Sequence, residues 1–370
     1  VDITPFFKLM VDKSASDLFF SVGVPPYIKI QGAATPVGQT PLKSMQMAEI
    51  AASVMNDSQR KEFESTLELN MAISITNVGR FRVNVFRQRG EIAMVVRYIK
   101  GEIPPMEELQ LPPILKQLIM ELRGLILVVG STGSGKSTTL ASMIDYRNEN
   151  QRGHILTIED PIEYLYKHKK CIVDQREVGI DTLSYENALK NAMREAPDVI
   201  LIGEILERDI MKHAISYAQT GHLCLSTLHS NNAYQALERI VNFFSSEARP
   251  QLLQDLAQNL RAIISQRLIP GIEKSRVPAV EILINSPYVA DLIEKGKIDE
   301  IKEAMVKSRD SGMQTFDQAL FDLYKAGKIT KENAIRFADS KNNVGLQIRL
   351  TEEKGFDQDQ NNLSIEEDIE

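Results

Sequence analysis

GLILVVGSTGSGKSTTLASMI, residues Gly124 to Ile144, decides the fold. Its apolar run Leu125 to Val129 is short and ends at a turn signal, which suits a strand covered on both faces in a parallel sheet. The pattern G-x-x-x-x-G-K-S follows from Gly130 to Ser137, and a helix-forming run comes next. Strand, glycine-rich loop and helix in that order are the context a phosphate-binding loop requires. By average composition the bare pattern arises by chance roughly once per hundred chains of this length, before the flanking elements are demanded.

The chemistry follows from the residue types. Glycines let consecutive backbone N–H groups turn inward around phosphates, and the next helix directs its positive end at the same charge. Gly130, Ser131, Thr132, Gly133, Ser134, Gly135, Lys136, Ser137 and Thr138 are therefore the expected nucleotide-binding residues, with ATP as the ligand. Lys136 is expected to reach the β and γ phosphates, and Ser137 to ligate Mg²⁺ through its hydroxyl. Thr138 falls near the α phosphate.

Further apolar runs lie at Ile155 to Ile158, Val199 to Ile202 and Leu223 to Leu228, alternating with helical patterns. They predict an α/β domain on a parallel sheet, whose ligands bind at the C-terminal strand ends. The second run ends in Gly203 and Glu204, making Glu204 the candidate metal-side acid, acting through water. The first runs into Glu159, Asp160, Pro161 and Glu163, and one of these carboxylates can orient the attacking water. Spacing does not choose between Glu159 and Glu163.

His222 and His229 bracket LCLSTL and lie about 23 Å apart if that segment is a strand, so they cannot share a metal. By position alone each is as readily a satisfied polar residue as a catalytic one. Residues 1–100 read as a small mixed domain, with a helix around Pro5 to Val11 and strands near Pro26 to Gln31, Gly79 to Phe86 and Ile92 to Ile99. Arg80, Arg82, Arg87, Arg89 and Arg97 cluster there. Their plain reading is a solvated sheet face; the functional one is that some complete a neighbouring subunit's site.

Four prolines mark residues 101–113 as a linker. Residues 114–270 then form the ATPase core and 271–345 a helical part, since the pattern turns mainly helical from about Gln251. Residues 346–370 read as an acidic, disordered tail; the last twenty carry eight acids against one lysine. The formal net charge of −7 resides in those last twenty residues, and a neutral body argues against nucleic-acid binding. Two cysteines without CxxC spacing exclude a four-cysteine zinc site and fit a reducing cytoplasm. No apolar run approaches the roughly 20 residues of a membrane span, so membrane association must go through partners.

Together these residues match a known set. The chain resembles the type IV pilus retraction ATPases, the PilT and PilU family, within the larger secretion ATPase superfamily. SASDLFFSVGVPPYIKIQG is similar to the family's N-terminal signature, GSTGSGKSTT to its Walker A box, TIEDPIE to its aspartate box, DVILIGE to its Walker B box and TGHLCLSTLH to its histidine box. The resemblance implies a PAS-like α+β domain followed by a RecA-like domain, six copies in a ring, with ATP between one subunit's RecA-like domain and its neighbour's first domain. It makes Glu163 the catalytic glutamate, Glu204 the Walker B acid, His222 and His229 the histidine-box pair, and Arg80, Arg82 and Arg97 the arginines given in trans.

Absence of a four-cysteine metal site and of extra N-terminal domains in this chain favours retraction over assembly. YAQTGHLCLSTLH, the GE-x-x-ERD stretch and the acidic extension resemble the PilU branch more than PilT. The implied partners are a PilT-like retraction ATPase and an inner-membrane pilus platform protein, with location at the cytoplasmic face. Two departures stand out. Retraction ATPases generally carry an arginine after Gly-Glu-Ile where this chain has Leu206, which can donate neither charge nor hydrogen bond. ADLIEKGKIDEI only loosely resembles the family's AIRxGK element.

Overall fold

The computed structural model describes residues 2–30, 32–99, 101–273 and 275–360, with side chains through Glu353. The chain divides into two compact units, one comprising residues 1–103, 159–167 and 175–188, the other 104–158, 168–174 and 189–370.

In the first unit, β1 (Asp17–Ser21), β2 (Tyr27–Ile30), β3 (Ala33–Pro36), β4 (Glu68–Ile75), β5 (Gly79–Gln88) and β6 (Glu91–Ile99) form one sheet in the order β3-β2-β1-β6-β5-β4. Every pairing is antiparallel. Strand β5 shows why: Phe81, Val83 and Val85 are fully buried on one face, while Arg80, Arg82 and Asn84 stay half-buried on the other. Helix Thr4–Asp12 covers the apolar face, burying Phe7 and Met10, and Phe7 stacks on Phe81 at 4.6 Å. Each such aromatic or aliphatic burial contributes about 1.5–3 kcal/mol. Asn56 and Gln59 close a capping box on helix Asp57–Thr66, satisfying backbone N–H groups that its first turn leaves unpaired.

The other sheet, all in the second unit except Glu159 and residues 175–177, comprises β7 (Gly124–Val129), β8 (Gly153–Glu159), β9 (Cys171–Glu177), β10 (Val199–Ile202), β11 (Leu223–Leu228), β12 (Leu260–Pro270) and β13 (Arg276–Ile284), ordered β13-β12-β7-β11-β10-β8-β9. The run β12, β7, β11, β10, β8 is parallel, with β13 antiparallel on β12. Every residue of β7, β10 and β11 is buried, as a doubly covered sheet demands.

One expectation needs an addition and one a correction. The region after Gln251 is mainly helical, as expected, but it also contains the long β12–β13 hairpin, and β13 falls within 271–345. A buried apolar run looks alike as helix or strand in sequence, and here the open edge of β7 supplies the ladder that makes it a strand. Residues 346–360, read as part of a disordered tail, belong to helix Lys341–Gln360. Its Val344 and Ile348 are buried in a cluster with Phe316, Leu320, Ile329 and Ala334, and Glu352 accepts hydrogen bonds from Lys331 at 2.6 Å and Tyr324 at 2.9 Å. The rest of the expected tail, 361–370, lies outside the described residues. Among the described residues no helix is long and apolar enough to cross a membrane.

Candidate nucleotide site

Gly130 to Gly135 links β7 to helix Lys136–Asn150. Two of its glycines are sterically required. A Cβ on Gly130 would lie 2.4 Å from Ser134 Oγ and 2.6 Å from the Gln266 carbonyl oxygen; one on Gly135, where φ is +89°, would lie 2.7 Å from Gln266 Nε2. The loop is thus closed against β12, and Gln266 does the fastening. Its amide donates to the Ser134 carbonyl at 2.9 Å, and its Oε1 accepts from Thr139 Oγ1 at 2.6 Å.

Lys136 is buried and donates to the carbonyl oxygens of Gly130 at 2.9 Å and Ser131 at 3.0 Å. Burial pushes its pKa down, and the nearby Glu204 carboxylate partly opposes that. Its ammonium also lies 3.5 Å from His229 Nδ1. Since a lysine ammonium can only donate, Nδ1 is assigned as acceptor and Nε2 carries the ring hydrogen. Nε2 faces Glu204 Oε1 at 2.9 Å. The approach has ion-pair distance without hydrogen-bond alignment, so Oε1 is a buried acceptor that no donor satisfies.

Strand order explains this convergence. Strand β11 lies between β7 and β10, so His229, just past its C-terminal end, is delivered between the residue following β7 and the residue following β10. Ile205 N–H donates to the Thr227 carbonyl at 2.9 Å, and Thr227 Oγ1 donates to the Gly203 carbonyl at 2.7 Å, which holds Glu204 at its strand end.

The residues fit a triphosphate and its metal. Ser134 Oγ and Glu204 Oε1 are both buried without hydrogen-bond partners, a polar pair that a hydrated ligand would satisfy. Ser137 is exposed at the helix start and Thr138 half-buried beside it. An open cavity of about 550 Å³ adjoins the loop, lined by Ser131, His229, Asn231, Gln235 and Glu238 among others.

His222 does not join this group. It occupies the opposite end of β11, its Nδ1 3.1 Å from Thr220 Oγ1 and 3.2 Å from the Tyr217 carbonyl. Within the first unit, Glu159 is buried and lies 3.4 Å from the Gln175 amide, while Glu163 is exposed. Arg80 and Arg82 there act on Glu177 of the same chain, lowering a carboxyl pKa that burial raises more strongly. Arg97 donates to Asp17 at 2.9 Å yet stays 63% exposed. Leu206 is 56% exposed.

Gln266, Arg267 and Glu281 are not among the expected site residues, because the sequence pattern does not mark their segments as strands. A signal was present: Ser265, Gln266 and Arg267 interrupt the apolar residues Ala262–Ile264 and Leu268–Ile269 in the middle of the strand, and buried polar groups need partners.

A lysine, a carboxylate and a histidine gathered at neighbouring strand ends around a closed phosphate loop define a P-loop ATPase. The chain belongs to the type II/IV secretion system protein family, whose pattern matches residues 11–316, and within it to the PilT and PilU type IV pilus ATPases. It is 53% identical over 351 residues to the type IV pilus ATPase PilU of Pseudomonas aeruginosa, covering 95% of this chain and 92% of that one. Identity to the retraction ATPase PilT of the same organism is 42% over 334 residues, covering 90% and 97%. A crystal structure of the pilus retraction motor PilT with bound ADP superposes with a TM-score of 0.86 at 41% identity, covering 92% of this chain and 98% of that one.

Proposed function

We propose that this chain is the subunit of a hexameric motor that couples Mg-ATP hydrolysis to type IV pilus retraction, and so to twitching motility. The observation that carries the proposal is the convergence of Lys136, His229 and Glu204 around the phosphate loop. Lys136 and the loop N–H groups would hold the phosphates, and Ser137 and Glu204 would hold Mg²⁺, Glu204 through water. The bound ion supplies positive charge that offsets the negative charge growing on the phosphoryl oxygens. Glu163, or Glu159 four residues before it, orients the attacking water; His229 holds the Glu204 carboxylate and the Lys136 ammonium in register.

Six copies would place a PAS-like first domain, with Arg80, Arg82 and Arg97, over the neighbour's nucleotide. A half-buried, arginine-bearing face on β5 supports that role. His222, remote from its own chain's Lys136, would act at the subunit boundary. The ring would work at the cytoplasmic face of the inner membrane, against a pilus platform protein and beside a PilT-like ATPase. The 42% identity to the retraction ATPase PilT supports this setting.

Phosphate release from the full chain should require Mg²⁺ and vanish in Lys136→Ala. Exposed Leu206, where retraction ATPases carry an arginine, favours a second reading, an accessory ring with low intrinsic turnover that acts through its partner ATPase. Turnover measured with and without that partner separates the two, because fast hydrolysis by the ring alone excludes the accessory role.

A further inference from the structure

The loop that carries His229 is fastened from behind. Ala233 N–H, where helix Ala233–Asn242 begins, donates to Glu281 on β13 at 2.8 Å, and Ser265 on β12 donates to the same carboxylate oxygen at 3.2 Å. The Asn231 carbonyl, two residues beyond His229, accepts from the Arg267 guanidinium at 3.2 Å. That guanidinium does not end there. It pairs with Asp339 at 2.8 Å, donates to the Phe337 carbonyl at 2.9 Å, and lies 3.8 Å from the centre of the Phe316 ring. Asp339 is held in turn, since its own N–H donates to Asp317 at 2.8 Å.

A planar guanidinium has five donors in a rigid fork, so its orientation is set jointly by all the groups it serves. One nitrogen of this fork, Nη2, serves both the Asn231 carbonyl on the histidine loop and Asp339, while Nη1 donates to Phe337, the last residue of helix Lys331–Phe337. The preceding residue, Gln266, points to the other side of β12 and fastens the phosphate loop. Adjacent residues of one strand thus hold the two loops that meet at Lys136 and His229.

We infer that Arg267 is a positioning residue: it sets His229 against Lys136 and Glu204, and Asp339 sets Arg267, so that the C-terminal helices govern turnover through this clasp. The inference rests on the hydrolysis reading above. A displacement of the 337–340 segment would turn the fork, release the Asn231 carbonyl and let His229 leave its place, with the phosphate loop still fastened by Gln266. Substrate binding would persist while turnover fell, which is how a ring pulled on from its C-terminal side could be slowed without losing its nucleotide.

The test uses the full chain and its Arg267→Gln, Asp339→Asn, Arg267→Lys and His229→Ala variants. The first two should lower kcat about tenfold while KM for MgATP and affinity for ADP change less than twofold. Lysine at 267 keeps the charge but not the fork, and should recover only part of the loss. In a His229→Ala background Arg267→Gln should cost less than a further twofold, because the residue it acts through is gone. Hydrogen exchange of residues 229–233 should rise about tenfold in Arg267→Gln, with β12 and β13 protected as in the unsubstituted chain.

Equal losses from Arg267→Gln in both backgrounds, unchanged kcat, or unchanged exchange at 229–233 would overturn the clasp. Exposure of β12 and β13 in Arg267→Gln would show a purely structural role, which also overturns it, and Asp339→Asn supplies the same test without touching either strand. A chain that hydrolyses no ATP fails the underlying reading instead, and the exchange measurement then judges the clasp alone.

Discussion

His229 Nε2 faces Glu204 Oε1 at 2.9 Å while its Nδ1 faces Lys136 Nζ at 3.5 Å, so one imidazole spans the carboxylate and the ammonium of the phosphate site. Replacing it should separate chemistry from binding. His229→Ala should lower phosphate release at saturating ATP by about 10- to 100-fold, since the alignment it provides matters in the transition state. ADP affinity, measured by calorimetry, should stay within a few fold.

Gly135→Ala tests the fastening of the loop. Its φ of +89° disfavours any side chain, and the new Cβ would press on Gln266 Nε2 at 2.7 Å. The cost should be about 1–3 kcal/mol, read as a lowered thermal midpoint, together with weaker nucleotide binding.

Glu281 gives a pH dependence. Burial, with Asp339 adding to it, raises its carboxyl from 4.5 to about 7 against the opposing Ala233 N–H. The folded protein therefore keeps a proton that the unfolded chain releases between those values, so stability falls as pH rises through the window and the deficit is full above it. Glu281→Gln keeps an acceptor for Ala233 without the charge. It should stabilise by about 1–3 kcal/mol at pH 8 and by much less at pH 5, as measured by urea unfolding.

Mixed rings test the proposed shared site. Arg80→Ala/Arg82→Ala subunits and Lys136→Ala subunits should each form inactive rings. Mixed in equal amounts, they should regain about a quarter of the wild-type rate, because a fraction of interfaces then pairs an intact loop with intact arginines. No recovery on mixing would show that the arginines serve their own chain, where they already act on Glu177.

Leu206→Arg addresses turnover directly. Because Leu206 is 56% exposed, the substitution buries no charge and should leave the thermal midpoint in place. If the missing guanidinium limits the isolated ring, steady-state turnover should rise about three- to tenfold.

Legibility in sequence followed locality. Lys136 and Ser137 were readable because phosphate binding needs consecutive N–H groups, so their positions are tied to one short segment. Glu204 was readable as the acid after a four-residue apolar strand. His229 follows the C-terminal end of its strand, where such sheets bind ligands, but that the strand lies beside both the phosphate loop and Glu204 is set by neighbours the sequence does not show. Gln266 and Arg267 were hidden because the strand identity of Leu260–Pro270 comes from pairing with β7, more than 130 residues earlier.

The sequence by itself determined the phosphate loop, the strand that feeds it and the helix that leaves it, because these depend on residues within a few positions of one another. Tertiary structure alone decided that β11 lies between β7 and β10, and that β12 closes the far side. Those neighbours are chosen by packing among segments distant in the chain, which no local pattern encodes. That choice brings His229 to Lys136 and Glu204 and leaves His222 at the opposite edge of the sheet.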